Sequence, residues 1–231
     1  MSIPLAFLSD LSVPPPDVSL GEHLAQVVTD SGRVTTLLDC LSSTDAPAIW
    51  STESTRPPLS HAALRRFVAA FSLPTSGLRG QLGPNDRVIV ALPTSPENAV
   101  ALLAVSTYHT CAPVNSGCTA GELLEDATRL RAKAILTTAD ARDRLGLKRL
   151  RDDLRCEVIF IDPHSDGPAG LFQMSALNEA DEDDEWAVVQ QSAQVPPQPH
   201  GLYDQSLVLH TSGTSGKKKV NGFPFQLSTA P

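Results

Sequence analysis

Short apolar runs rich in branched residues, separated by segments with helical periodicity, predict an α/β protein with a mainly parallel sheet and flanking helices. Three observations carry this reading. The runs DRVIVAL (Asp86 to Leu92), KAILTT (Lys133 to Thr138) and EVIFID (Glu157 to Asp162) are bounded by turn or polar residues, as strands covered on both faces require. The segments between them carry helix-start signals, Ser95-Pro96 before ENAVALLAVSTYH and Thr119 with Glu122 as a capping box. Their spacing suits βαβ units.

Taken in chain order, residues 1–20 are rich in proline and read as an irregular N-terminal segment. Residues 21–41 have a weak helical pattern through Leu24, Val27 and Val28, and a turn-rich stretch covers Ser51 to Pro58. Ser60 can cap a helix whose apolar stripe is Ala63, Leu64, Phe67, Val68 and Phe71, with Pro74 as its stop. After DRVIVAL and the helix that follows it, CAPVN is a second strand candidate. A helix extends from Thr119 to about Arg131, and another is expected over roughly Ala141 to Leu154 before EVIFID. Residues 163–204 break the alternation with an acidic cluster, Asp181 to Glu185, and a proline and glutamine run, Gln190 to Pro199; both read as a solvated connection. The chain resumes with SLVLH, Ser206 to His210, read as a buried strand.

Composition narrows the function classes. At 231 residues, 41% apolar and 19% charged, the chain can bury a sizeable core. A formal charge of -8 argues against general affinity for nucleic acid or acidic lipid, since both reward a basic surface. Cys40, Cys111, Cys118 and Cys156 have neither zinc-site spacing nor the density of a disulfide scaffold, which favours a reducing, cytoplasmic setting. The N-terminus lacks the basic residues of a signal peptide, and no apolar run approaches the length of a membrane span. The six histidines show no metal-ligand spacing.

The chemistry concentrates in TSGTSGKKK, directly after SLVLH. Gly213 and Gly216 allow backbone conformations in which successive N–H groups turn inward as an anion site. Thr211, Ser212, Thr214 and Ser215 add hydroxyl donors, and Lys217, Lys218 and Lys219 add positive charge, a set suited to polyphosphate. The spacing excludes GxxxxGK[ST], because two residues separate the glycines where that motif has four. Small polar residues and lysines also suit a plain surface loop, so composition by itself leaves both readings open.

The order of residues resembles the phosphate-binding signature of the adenylate-forming superfamily, which includes acyl-CoA synthetases, adenylation domains of nonribosomal peptide synthetases and luciferases. The usual TSGTTGxPK or TSGSTGxPK is matched by Thr211, Ser212, Gly213, Thr214, Ser215, Gly216 and Lys219, with Lys218 in place of the proline. PLSHAAL resembles the family's early LTYxEL element. The stretch from GPNDRVIVAL to KAILT is similar to the family's GDRVAI, helix, GAxYVPLDP, helix and short strand, and Asp204 fits the lead-in to the loop. The resemblance implies the N-terminal part of the family's large domain, truncated, with residues 21–220 as a partial AMP-binding domain and 221–231 as a divergent tail.

What the resemblance implies about function is activation of a carboxylic acid by ATP with Mg2+, through an acyl adenylate, and transfer to the thiol of CoA or a carrier-protein pantetheine. Thr211, Ser212, Gly213, Thr214, Ser215, Gly216 and Lys219 would hold the terminal phosphates; none would be a nucleophile or general base. Family members are more than twice this length, so the expectation is a fragment that is inactive alone, with an open sheet face and SLVLH as its least supported strand. The alternative is a noncatalytic binding or interaction module that keeps only the polyphosphate loop. A defective product with no function is the third reading. CoA ligase and carrier-protein adenylation domain are not distinguished by this stretch.

Overall fold

Consecutive branched apolar residues are accommodated where helices cover both faces of a sheet, and the computed structural model places them there. It describes residues 36–52, 55–75, 82–177, 198–201, 204–211 and 219–224. A small antiparallel pair, β1 (Pro47–Ile49) and β2 (Leu59–Ser60), leads into helix α1 (His61–Ala69). The main sheet contains β3 (Arg87–Val90), β4 (Thr110–Pro113), β5 (Ala134–Thr138), β6 (Glu157–Pro163), β7 (Phe172–Ala176), β8 (Gln205–Thr211) and β9 (Lys219–Pro224). Its spatial order is β7-β6-β5-β3-β4-β8-β9. The five strands from β6 to β8 in that order are parallel, and the edges β7 and β9 run antiparallel to their neighbours. The expected α/β architecture with a mainly parallel sheet is therefore present.

Helices α2 (Pro96–Tyr108), α3 (Ala120–Leu130) and α4 (Leu147–Leu154) supply the crossovers. Val100, Ala101, Ala104 and Val105 of α2 pack with Val88, Val90, Leu136 and Ile159 on one face. Leu123, Ala127 and Leu130 of α3, with Leu147 and Leu150 of α4, pack with Ile89, Ile135 and Val158 on the other. Alternate strand residues thus serve opposite cores, as a two-residue period demands. The chain steps from β3 to β4, then passes back over β3 to β5 and on to β6, so the direction of winding reverses between β3 and β5.

The caps form as their residues require. Ser60 Oγ accepts from Ala63 N–H at 3.2 Å and Ser95 Oγ from Asn98 N–H at 3.2 Å. At α3, Thr119 N–H donates to Glu122 Oε2 at 2.8 Å while Glu122 N–H donates to Thr119 Oγ1 at 3.3 Å.

Several elements depart from the sequence-based expectations. The helix expected from Ala141 is shorter: Ala139–Ala141 forms a 3-10 turn, and α4 starts only after Gly146, whose φ of 60° is outside helical geometry. Helix α1 ends at Ala69, ahead of Pro74, and Phe71 to Pro74 are buried without helical structure. Within the stretch read as a solvated connection, Phe172–Ala176 is strand β7. Phe172, Met174 and Ala176 are buried and Gln173 is exposed, the alternation of an edge strand with one covered face. Of the weak helical pattern over residues 21–41, Leu37–Cys40 is a 3-10 turn capped by Thr36 and Asp39. Residues 1–35 and the acidic cluster at 181–185 lie outside the described residues, as do residues 190–197 of the proline and glutamine run. SLVLH, expected to be the least supported strand, pairs with both β4 and β9; on it Val208 is buried and Leu209 is 37% exposed. Asn221–Pro224, grouped above with the tail, continue β9. Among the described residues no helix is long and apolar enough to cross a membrane.

Candidate functional site

Because β3, β4, β5, β6 and β8 are parallel, their carboxyl ends share one edge of the sheet. In open α/β sheets, ligands collect outside that edge. Here β8 lies beside β4 and ends at this edge with Thr211.

The strand that follows returns alongside it. Val208 pairs with Gly222, Leu209 with Asn221, His210 with Val220 and Thr211 with Lys219. Facing Cα atoms in an antiparallel ladder lie about 4.5–5.5 Å apart. Thr211 and Lys219 therefore stand together at the mouth of the connection between them, which is residues 212–218. Ser212, Gly213, Thr214, Ser215 and Gly216 fall in that connection, outside the described residues. Of the seven candidate residues, the structure places Thr211 and Lys219, and it brings them together.

The surrounding edge is tied down by backbone and side-chain acceptors. After β4, Gly117 N–H donates to Asn115 Oδ1 at 2.9 Å, and Arg144 donates from Nη1 to Cys118 O at 3.1 Å and from Nη2 to Ser116 O at 2.8 Å. At the start of α2, Glu97 Oε1 accepts from Arg56 Nη1 at 2.7 Å and from Gly170 N–H at 3.0 Å. Arg56 Nη2 also donates to Pro168 O at 3.1 Å, so one guanidinium joins three segments. Burial by itself would raise the Glu97 carboxyl; hydrogen bonds from Arg56, its own N–H and Gly170, together with the Arg56 charge, outweigh it and hold the group below the usual carboxylate range. Glu97 is therefore an ionised anchor.

Within β4, burial pushes the Cys111 thiol up to about 12, against a smaller lowering from Ser106, so this thiol is a neutral core group. Among the described residues no group of three or more His, Cys, Asp or Glu side chains could hold a metal ion. Three buried polar residues, His109, Thr110 and His200, have no distinguishing spacing in the sequence. Thr110 Oγ1 donates to Gln205 O at 2.7 Å, and His200 N–H to Thr107 O at 2.7 Å. Their partners are 95 and 93 residues away along the chain.

Comparison with known proteins bears on this edge. The family model described as AMP-binding enzyme matches residues 42–221. Among solved structures, ATP-bound MatB from Rhodopseudomonas palustris is 24% identical with a TM-score of 0.55, covering 82% of this chain and 35% of that one. An acyl-CoA synthetase from Brucella canis is 16% identical with a TM-score of 0.54, covering 93% and 35%. The N-terminal subdomain of Klebsiella oxytoca NpsA, in complex with 3-hydroxybenzoyl-AMSN, is 16% identical with a TM-score of 0.52, covering 84% and 42%. At these identities the likeness is one of fold. The chain spans about a third of the length of the first two. No match was found among curated proteins.

Proposed function

We propose, from the premise that the chain belongs to the AMP-binding enzyme family, that residues Thr211 to Lys219 hold the β and γ phosphates of ATP during formation of an acyl adenylate. The observation that carries this reading is the pairing of Thr211 with Lys219 where β8 reaches the carboxyl edge of the sheet. That pairing gathers the two ends of a segment containing three hydroxyl residues, two glycines and two lysines between them. Backbone N–H groups, hydroxyls and an ammonium group converging on one anion suit a polyphosphate, whose charge is dense.

The reaction belongs to the enzyme to which these residues contribute the loop. A carboxylate oxygen attacks the α phosphorus of ATP; the bond from that phosphorus to the bridging oxygen breaks, and pyrophosphate leaves with the electron pair. A thiol then attacks the acyl carbonyl and loses its proton; the bond from the carbonyl carbon to the phosphate oxygen breaks, and AMP departs with the electron pair. Mg2+ bound with the nucleotide would offset charge on the departing pyrophosphate. Thr211, Ser212, Gly213, Thr214, Ser215, Gly216 and Lys219 serve this chemistry by holding the leaving group in line. The acid, and the choice between CoA and a carrier pantetheine as thiol, are specified by groups other than these.

Isothermal titration with ATP and Mg2+, run beside a pyrophosphate-release assay over a panel of carboxylic acids, tests the reading. Saturable binding without turnover is the expected outcome for this chain alone, because it spans about a third of the enzymes it resembles. Absence of binding, with β8 shown to be folded, would remove the phosphate assignment.

A further inference from the structure

The strand entering the candidate loop has a short ladder to β4, and the segment leading into it is held by the buried His200, next to a second buried histidine, His109. Between β4 and β8 the register pairs Cys111 with Leu207, whereas β5 and β6 pair from Ala134–Glu157 through Thr138–Ile161. His200, just ahead of β8, donates from Nε2 to Pro84 O at 2.7 Å. His109, between α2 and β4, donates from Nδ1 to Gly83 O at 2.9 Å. Gly83 and Pro84 are adjacent, so both rings are tied to one turn ahead of β3. His109 is 2% exposed and His200 1%.

A carbonyl oxygen only accepts, so His109 carries its hydrogen on Nδ1 and His200 on Nε2. The second nitrogen of each neutral ring keeps a lone pair. For His200 this is Nδ1, which is buried and has no hydrogen-bond partner among the described residues. Burial lowers the His109 titration first; the hydrogen bond to Gly83 raises it, His200 lowers it and Asp86 raises it, with a net lowering. Asp86 is engaged, accepting Gly83 N–H at 2.8 Å, and Asp204 accepts Gly201 N–H at 2.9 Å beyond His200.

We propose that His109 and His200 are positioning residues: through the turn at Gly83 and Pro84 they hold the segment leading into β8 against the sheet, and protonation of His109 releases that segment. Any effect on nucleotide binding rests on the reading given under Proposed function; the seating of β8 does not. The sign follows from the direction of the His109 shift. A released or unfolded state takes up the proton near the ordinary histidine value of about 6.5. Seating is thus complete above that pH and is lost as pH falls from it toward the lowered His109 value. β8 spans about 23 Å, so the histidines act through the strand and touch no phosphate.

Hydrogen exchange on the full chain tests this. Between about pH 7.5 and about pH 5.5, after correction for intrinsic rates, protection of residues 204–211 should fall about tenfold while that of β5 stays within about twofold. In the double variant His109→Asn, His200→Gln, the side-chain amide nitrogens replace Nδ1 and Nε2 as uncharged donors, and the fall should vanish. His210→Gln should retain it, since His210 lies on β8 but outside the pair. Unchanged protection in the wild-type chain, or the same fall in the double variant, would overturn the proposal. Should the double variant not fold, imidazole nitrogen NMR of the wild type decides: Nδ1–H on His109 and Nε2–H on His200, with the His109 ring titrating together with the β8 amides, is expected, and the opposite tautomers refute it. ATP binding is measured in parallel at about pH 7.5. No binding while residues 204–211 are protected rejects the phosphate reading and leaves the histidine pair standing.

Discussion

The two sides of the central strand β3 are built differently. Toward β5 and β6 the sheet is held by a continuous ladder, with α3 and α4 burying Leu123, Leu130, Leu147 and Leu150 against it. Toward β8 and β9 the register with β4 pairs Cys111 with Leu207, Thr110 Oγ1 donates to Gln205 O, and Leu209 is exposed. One side stabilises the molecule; the other presents the candidate loop. Loop-bearing elements are commonly drawn from the less stable end of a structure, and here the difference has named bonds.

That contrast can be broken most forcefully at its stable side. Leu136, on β5 and fully buried, should cost about 2–5 kcal/mol when changed to alanine, measured by urea unfolding. Leu207→Ala, at a half-buried position on β8, should cost about 1 kcal/mol or less. Equal losses would erase the distinction.

Next in size is the buried ion pair. The Arg56 and Glu97 side chains are 9% and 5% exposed, so Glu97→Ala leaves a buried cation without its partner and should cost about 3 kcal/mol in the same unfolding measurement. Because the folded Glu97 value is lowered, its contribution is present above the ordinary carboxylate range and is lost as pH falls through the folded value. The wild-type chain should therefore lose more stability on acidification in that range than Glu97→Gln.

Smaller effects sharpen the comparison. Thr110→Val removes the donor to Gln205 O and should cost about 1 kcal/mol, with faster hydrogen exchange confined to residues 204–211. Thr119→Ala deletes one half of the α3 capping box at a similar cost of about 1 kcal/mol by urea unfolding, without changing exchange in β8. Faster exchange in β8 from Thr119→Ala would mean that the two sides are coupled.

Legibility in the sequence follows the same division. Elements set by local chemistry could be read directly: Ser95-Pro96 and Thr119 with Glu122 form the caps their spacing implies, and Val88, Ile89 and Val90 form the strand their covered faces require. Elements decided by distant partners could not. Phe172–Ala176 shows a two-residue alternation, but its acidic and proline-rich surroundings masked it, and its pairing with β6 is a tertiary outcome. Gly146 interrupts a helical pattern through a left-handed conformation, a geometry that periodicity does not encode. At the candidate site, the motif located the loop by residue order, whereas the facing of Thr211 and Lys219 needed the strand register. His109 and His200 carry no pattern at all. Their role arises from two carbonyls, Gly83 O and Pro84 O, brought near by the fold.

The most direct measurement of the central claim is equilibrium titration of ATP with Mg2+ into the folded chain and into Lys219→Ala, with inorganic tripolyphosphate as competitor. Saturable binding displaced by tripolyphosphate and weakened about tenfold or more in the variant, roughly 1.4 kcal/mol, is the predicted result. Equal affinity in both proteins, or ATP binding that tripolyphosphate leaves untouched, would contradict it.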